Sequence, residues 1–425
     1  MRVAFVSTYA PSTGTLNEYA HHFVKFLRQK PDVREVIVLG DELPDMPSAT
    51  IVDTSPGLAP LRRIACWRFG GLSNAWRIMQ AVRAEQPDVV LFNIQFATFG
   101  SGKVSASLGL LAPAMVRAAG FPCIVLLHNI METVDLKQAG YSANPLSERI
   151  IRLAGAAITR MLLRANLVAL TIPKYVEILE STYHAKNVLL APHGTFEQAP
   201  PPPTFVSDGP LQIMTFGKFG TYKKVEILIE AFKLLQARYP GLELVIAGTD
   251  SPNAPGYLEG VRDANPELPG LRFTGYVSEQ EVPQLFYDSS VVAFPYDSTT
   301  GSSGVLHQAG NYGRAVVMPN IGDLAEIIAE EGYVGEFFEP GDAASLAAAI
   351  NRVLADPAHR QELGMRNYLA ACGLPISDVV DWYLLHAQTL LQKPGVAPRG
   401  RAARPLAEAN SNEALRPIPS HSRNQ

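Results

Sequence analysis

The chain has 425 residues, 47% hydrophobic and 18% charged, with a formal net charge of −4. That length asks for two domains rather than one, the composition is that of an ordinary globular protein, and the slightly acidic balance gives no basis for nucleic acid as a partner. Cys66, Cys123 and Cys372 are widely spaced and odd in number, so they make neither a metal motif nor a disulfide framework, which fits a reducing, cytoplasmic compartment.

The N-terminal MRVAFVSTYAP has too short an apolar run for a signal peptide and reads as a first strand. The most apolar long stretch, residues 104–120, is broken by Pro113 and Arg117 and falls short of the roughly 18 apolar residues a spanning helix needs. Strands are predicted at 2–7, 35–40, 88–93, 123–128, 167–171 and 187–191, with longer amphipathic runs between them. This alternation is the βαβ signature of a parallel sheet covered by helices. The run APPPP at 199–203 cannot be helix or central strand and reads as a stiff linker. A second series follows at 211–217, 242–248, 271–275, 291–295 and 315–319. Val225, Leu228, Ile229, Phe232 and Leu235 recur at helical spacing between the first two of these. The expected organisation is an α/β protein with a Rossmann-like first domain over 1–198, a linker over 199–205 and a second Rossmann-like domain over 206–374. A closing helix over 375–393 is expected to pack back on the first domain, and 394–425, rich in Pro, Arg, Ser and Asn, to be a disordered tail.

Such sheets bind ligands at the C-terminal edges of their strands, so residues just after strands carry the chemistry. GKFGTYKK at 217–224 pairs Gly217 with Lys218 and Lys223 at a helix entrance, a combination suited to a diphosphate or to a solvated basic turn. The segment YDSTTGSSGVLHQAG at 296–310 brings Thr300, Gly301, Ser302, Ser303 and Gly304 to another helix start, either as an anion cradle or as a plain N-cap. The loop APSTGTLNEYA at 10–20 offers Gly14 and Thr15 after the first strand, with no GxGxxG. The nearest acid after the second strand, in LGDE at 39–42, stands in no dinucleotide fingerprint, which disfavours NAD-type cofactors. His128 ends a strand and is placed to bond a sugar hydroxyl, to act as acid or base, or to sit in the core. His193 has a similar position near the domain boundary, and Glu326 opens a helix after AVVMP.

The series GKFGTYKKVEILIEAF, LELVIAGTD, LRFTGYVSEQEVPQLFYDSSVVAFPY, SSGVLHQAGNYGRAVVMPNIGDLAEII and GEFFEPGDAASLAAAI, over roughly 211–352, resembles the donor-binding half of retaining family-4 glycosyltransferases with the GT-B fold. The first half resembles the acceptor domain more loosely, through the Gly14 loop and the strand end LLHN. The resemblance implies a hexosyl transfer from a UDP- or GDP-linked sugar to a saccharide or lipid-linked acceptor, with no metal and no other cofactor. It implies that Lys218, standing where the family usually has Arg, and Lys223 hold the diphosphate. Gly14 matches a backbone contact to the diphosphate and sugar, His128 a histidine near the donor sugar, and Glu326 the acid of the GGxxE stretch. The sequence departs from the family where a Glu-x7-Glu pair is usual: the two positions hold Thr300 and Gln308. An amide oxygen at 308 can still accept from ribose hydroxyls, whereas Thr300 supplies no carboxylate. A sugar-nucleotide epimerase, a phosphorylase and a non-catalytic nucleotide-sugar binder stay open on the same architecture.

Arg149, Arg152, Arg160 and Arg164 stand among aliphatics in 149–168, and 61–83 carries more arginines with two tryptophans. Both stretches suit either an anionic bilayer, with peripheral attachment to the inner face of a membrane, or helices of the core with solvated arginines.

Overall fold

In the computed structural model the residues described are 1–392, apart from 13, 45, 46, 48, 134–144, 197–208, 252, 253, 298–302, 322–327 and 329. The Pro-rich linker and the C-terminal tail lie outside them. The first domain runs β1 (Arg2–Val6), α1 (Asn17–Leu27), β2 (Glu35–Asp41), β3 (Ala49–Asp53), β4 (Leu61–Trp67), α2 (Asn74–Glu85), β5 (Val89–Ile94), α3 (Lys103–Gly109), α4 (Ala112–Ala118), β6 (Cys123–Leu127), α5 (Pro145–Leu162), β7 (Leu167–Leu170), α6 (Pro173–Tyr183) and β8 (Val188–Leu190). Its sheet has the order β3-β4-β2-β1-β5-β6-β7-β8 and is parallel except for β3, which pairs antiparallel with β4. β6 and β7 are continuous apolar runs, and β1 and β5 are nearly so apart from Arg2 and Asn93, because helices cover both faces.

The second domain runs β9 (Gln212–Phe219), α7 (Glu226–Gln236), β10 (Glu243–Asp250), α8 (Tyr257–Asp263), β11 (Leu271–Gly275), α9 (Val282–Asp288), β12 (Val291–Ala293), α10 (Gly304–Asn311), β13 (Val316–Pro319), β14 (Glu336–Phe338), α11 (Ala343–Ala355) and α12 (Pro357–Cys372). Its sheet is wholly parallel, in the order β11-β10-β9-β12-β13-β14. The apolar stripe of α7 (Leu228, Ile229, Phe232, Leu235) packs with Leu346, Ile350 and Val353 of α11 over one face of this sheet. Asp342 and Asp356 cap α11 and α12, each accepting from two backbone N–H groups of the first turn.

The chain then returns. α13 (Ile376–Gln392) leaves the second domain and buries Ile376, Val379, Val380 and Tyr383 in the same cluster as Val3, Phe5 and Phe23. The Phe23 and Tyr383 rings meet edge-on at 5.3 Å, and Lys30 pairs with Asp381 at 2.6 Å. Where the chain turns back, Thr195 is hydrogen-bonded to the returning segment on both sides of Pro375, its N–H donating to Leu374 O at 2.8 Å while its carbonyl accepts from Ile376 N at 2.9 Å.

The stretch 61–83 is a strand followed by a helix, and its arginines are largely paired. Arg62 bridges Glu35 and Glu85, Arg63 pairs with Asp41, and Arg77 pairs with Glu42. The stretch 149–168 is helical only to Leu162, and Leu167 already opens β7. Among the described residues no helix is long and apolar enough to cross a membrane.

Candidate functional site

In the first sheet the chain leaves β1 towards β2 on one side and later returns to β5 on the other. The second sheet does the same at β9 and β12. Each reversal opens a crevice beyond the strand C-termini, where doubly wound sheets take their ligands. Gly14, Thr15, His128, Gly217, Lys218 and the start of α10 all lie at these ends.

The Gly14 loop is held from beneath. Ser12 Oγ donates to Asp41 at 2.6 Å and accepts from Gly14 N at 3.2 Å, and Thr8 Oγ1 donates to the Thr15 carbonyl. A Cβ at position 14 would stand 2.5 Å from Thr8 Cγ2, so only glycine lets this turn close over the strand end. Asp41 is buried against Arg63, so the acid of LGDE is a support for this loop.

Across the cleft, β9 carries Gly217 and Lys218 just before its last residue, Phe219, and the chain doubles back so that Gly220 N donates to Lys223 O at 3.1 Å. Gly217 has φ +138, a conformation reserved for glycine, and a Cβ there would meet Lys223 Nζ at 2.8 Å. The missing side chain is the room in which the ammonium sits. Lys223 Nζ also lies 4.8 Å from the Tyr296 ring centroid, a cation–π contact that orients it. Burial lowers the pKa of Lys218, and the negative charge of Glu18 partly opposes this.

α10 begins at Gly304 with Ser303 in the cap position, both half-buried. Its first two turns carry His307 and Gln308, both buried. Gln308 Nε2 donates to Glu18 Oε1 at 2.6 Å, so an amide of the second domain grips a carboxylate from the first turn of α1. His21 of α1 similarly faces Glu279 at 3.7 Å. The carboxyl of Glu18 is pushed up to about 7 by burial and by Glu279, against the opposing pull of Gln308, Lys218 and Lys223.

Three buried imidazoles floor the cleft. His128 lies against Asn93 Oδ1 at 2.6 Å, and Asn93 Nδ2 in turn donates to Ser7 Oγ. The amide oxygen can only accept, so the proton of His128 sits on Nε2 and Nδ1 is the lone-pair nitrogen. Burial and neighbouring His193 hold its pKa well below the usual value. It is a neutral hydrogen-bonding group near pH 7 and no proton reservoir. His193 donates from Nδ1 to Gly194 O and lies flat on His307, with ring centroids 4.8 Å apart. Tyr19 meets both His128 and His193 edge-on. His307 Nδ1 lies 3.0 Å from the Tyr333 hydroxyl.

Thr300, Gly301, Ser302 and Glu326 lie outside the described residues. The others, Gly14, Thr15, His128, Gly217, Lys218, Lys223, Ser303, Gly304 and Gln308, converge on one cleft. Glu18, Tyr19, Asn93 and His307 belong there too, and their sequence signal is weak. Glu18 and Tyr19 follow the Gly14 loop by one helical turn, but nothing in their spacing says that Glu18 meets Gln308, 290 positions away, or that Tyr19 meets His128 and His193.

With this geometry established, comparison with known proteins gives a consistent answer. Residues 210–356 match the family described as glycosyl transferases group 1. The match covers the second sheet and its helices through α11 and includes Lys218, Lys223 and Gln308. A glycogen synthase of Mycobacterium tuberculosis is 30% identical over 153 residues, which is 36% of this chain and 36% of that enzyme's own length. The chain therefore aligns with little more than a third of that relative. Among solved structures, sucrose-phosphate synthase from Thermosynechococcus elongatus superposes with a TM-score of 0.71 at 18% identity, over 92% of this chain and 100% of that one. HepE of Anabaena in complex with UDP-glucose superposes at 0.66 and 15% identity, again over 92% and 100%. The fold is the two-domain GT-B architecture of glycosyltransferases.

Proposed function

We propose that this protein transfers a hexosyl group from a nucleoside diphosphate sugar to an acceptor hydroxyl, with retention at the anomeric carbon. The observation that carries the reading is the pair of ammonium groups, Lys218 near the end of β9 and Lys223 on the turn after it, with Gly217 hollowed out beside Lys223 and Glu18 of the first domain within electrostatic range of both. The family match over this domain and the UDP-glucose complex of HepE support it. As the bond from C1 to the diphosphate oxygen breaks, negative charge grows on the leaving diphosphate, and fixed cations and N–H groups aimed at that charge lower the barrier. The acceptor oxygen bonds to C1 on the face the diphosphate leaves, and its proton passes to the departing phosphate oxygen. No protein nucleophile and no metal enter this scheme. His128, neutral with its Nδ1 lone pair available, orients a hydroxyl of the donor sugar.

The acceptor is a saccharide or a lipid-linked precursor met at a cytoplasmic membrane face. Phe69, Leu72, Trp76 and Val104 are exposed beyond the C-terminal ends of β4 and β5, on the same edge of the sheet as Gly14, with Arg68 and Lys103 next to them. Pelleting with anionic vesicles that Trp76→Ala weakens would support this surface.

A thermal-shift panel of UDP, GDP and their sugars tests the donor site, because a ligand that binds only the native state raises the melting temperature by mass action. Lys218→Ala and Lys223→Ala are each expected to lower turnover roughly 100-fold or more, the scale of removing one preorganised electrostatic partner. Near-wild-type rates in both variants would sink the assignment.

A further inference from the structure

Position 308 holds an amide, yet the cleft is not without an acid. Glu18 reaches in from α1 and is held at 2.6 Å by that amide. Lys218 and Lys223 both act on its charge, which places it within electrostatic range of the two ammonium groups. Gln308 presents an N–H here and not its oxygen, so its amide is committed to Glu18. Glu18 Oε2 makes no hydrogen bond among the described residues.

A carboxylate beside two phosphate-directed ammonium groups cannot face the phosphates themselves, because like charges at that range disfavour each other. A nucleoside diphosphate sugar carries hydroxyl-rich groups on both sides of its diphosphate, the ribose diol and the sugar ring. We propose that Glu18 is the hydroxyl-accepting carboxylate of the donor site, supplied by the first domain and positioned by Gln308. This rests on the donor-site reading above. It also explains the residue at 308. A glutamate there would set two carboxylates oxygen to oxygen, so the acid occupies one of the two positions and the amide the other. Glu18 is raised to about 7 by burial and Glu279, so it ionises fully only above that value. Acceptance of a hydroxyl then strengthens as pH rises through about 7.

The test is calorimetric titration of the full chain with UDP, 2′-deoxy-UDP and UDP-glucose, and with the GDP series if that base is preferred. It is run on wild type, Glu18→Gln, Gln308→Glu and the double exchange Glu18→Gln/Gln308→Glu. Wild type should bind the diphosphate. Glu18→Gln should lose roughly tenfold in affinity, the worth of a hydrogen bond to a charged group. It should also lose one selectivity: ribo over deoxy if the ribose is the partner, or sugar nucleotide over free diphosphate if the hexose is. The pH dependence of affinity near 7 should vanish with it. Gln308→Glu alone should bind more weakly at pH 8 than at pH 6, and the double exchange should recover part of the loss by restoring an acid–amide pair. Glu18→Gln with unchanged affinity and both selectivities intact overturns this inference alone. Wild type that binds none of the nucleotides overturns the donor-site reading and this inference with it.

Discussion

Replacing His193 by phenylalanine should exchange neutral-pH stability for acid resistance. In the folded protein burial depresses the His193 pKa from 6.5 to about 4. The unfolded chain therefore takes up a proton between those values that the folded chain refuses, and stability falls as pH drops through that window. The slope for one such group is about 1.4 kcal/mol per pH unit, so His193 alone costs about 2 kcal/mol at pH 5. A phenylalanine keeps a ring against His307 and Tyr19 but loses the bond from Nδ1 to Gly194 O, worth about 1 kcal/mol. The variant should thus be about 1 kcal/mol less stable than wild type at pH 7.5 and about 1 kcal/mol more stable at pH 5, the curves crossing between about pH 5 and 6. Urea denaturation at several pH values measures this, read by tryptophan fluorescence. Trp67, Trp76 and Trp382 all lie in or on the first domain. Glu18 and Glu331, both raised to about 7, pull the other way, since acids protonated in the fold lose stability as pH rises. They are common to both proteins and leave the difference curve alone. Parallel curves with a constant gap would show that burial does not hold His193 neutral.

Gly217→Ala should destabilise by about 1–3 kcal/mol from the strained φ and displace the Lys223 ammonium, so weaker nucleotide binding should accompany a lower melting temperature. Asp41→Asn leaves the Arg63 guanidinium, 1% exposed, without its carboxylate and should cost about 3 kcal/mol in urea denaturation. Tyr383 buries a hydroxyl with no partner among the described residues, so Tyr383→Phe should be as stable as wild type or up to about 1 kcal/mol more stable; a clear loss would mean that the hydroxyl is satisfied.

Strands buried on both faces were legible because their sequences hold unbroken apolar runs, as in CIVLL and the VVLF of β5. β4 was hidden because LRRIACW breaks that pattern with two arginines, and each is neutralised by an acid from another element: Arg62 by Glu35 and Glu85, Arg63 by Asp41. Pairing across strands is long-range information that a local window lacks. The same limit applies at the site. Gly217, Lys218 and Lys223 lie within one short segment and could be read together, whereas the contact of Glu18 with Gln308 and the stack of His193 on His307 exist only once two domains face each other.

The returning helix α13 has a consequence for how the chain is made. The outer layer of the first sheet, around Phe5 and Phe23, is finished by residues 376–390, which emerge from the ribosome after the whole second domain. The first half cannot complete its core when its own synthesis ends; a strip of it waits bare while the second domain folds. The order of assembly is thereby set by the chain's path: second domain closed, then first domain sealed by α13. A chain stopped short of Ile376 would carry both sheets and still expose the apolar face that invites aggregation.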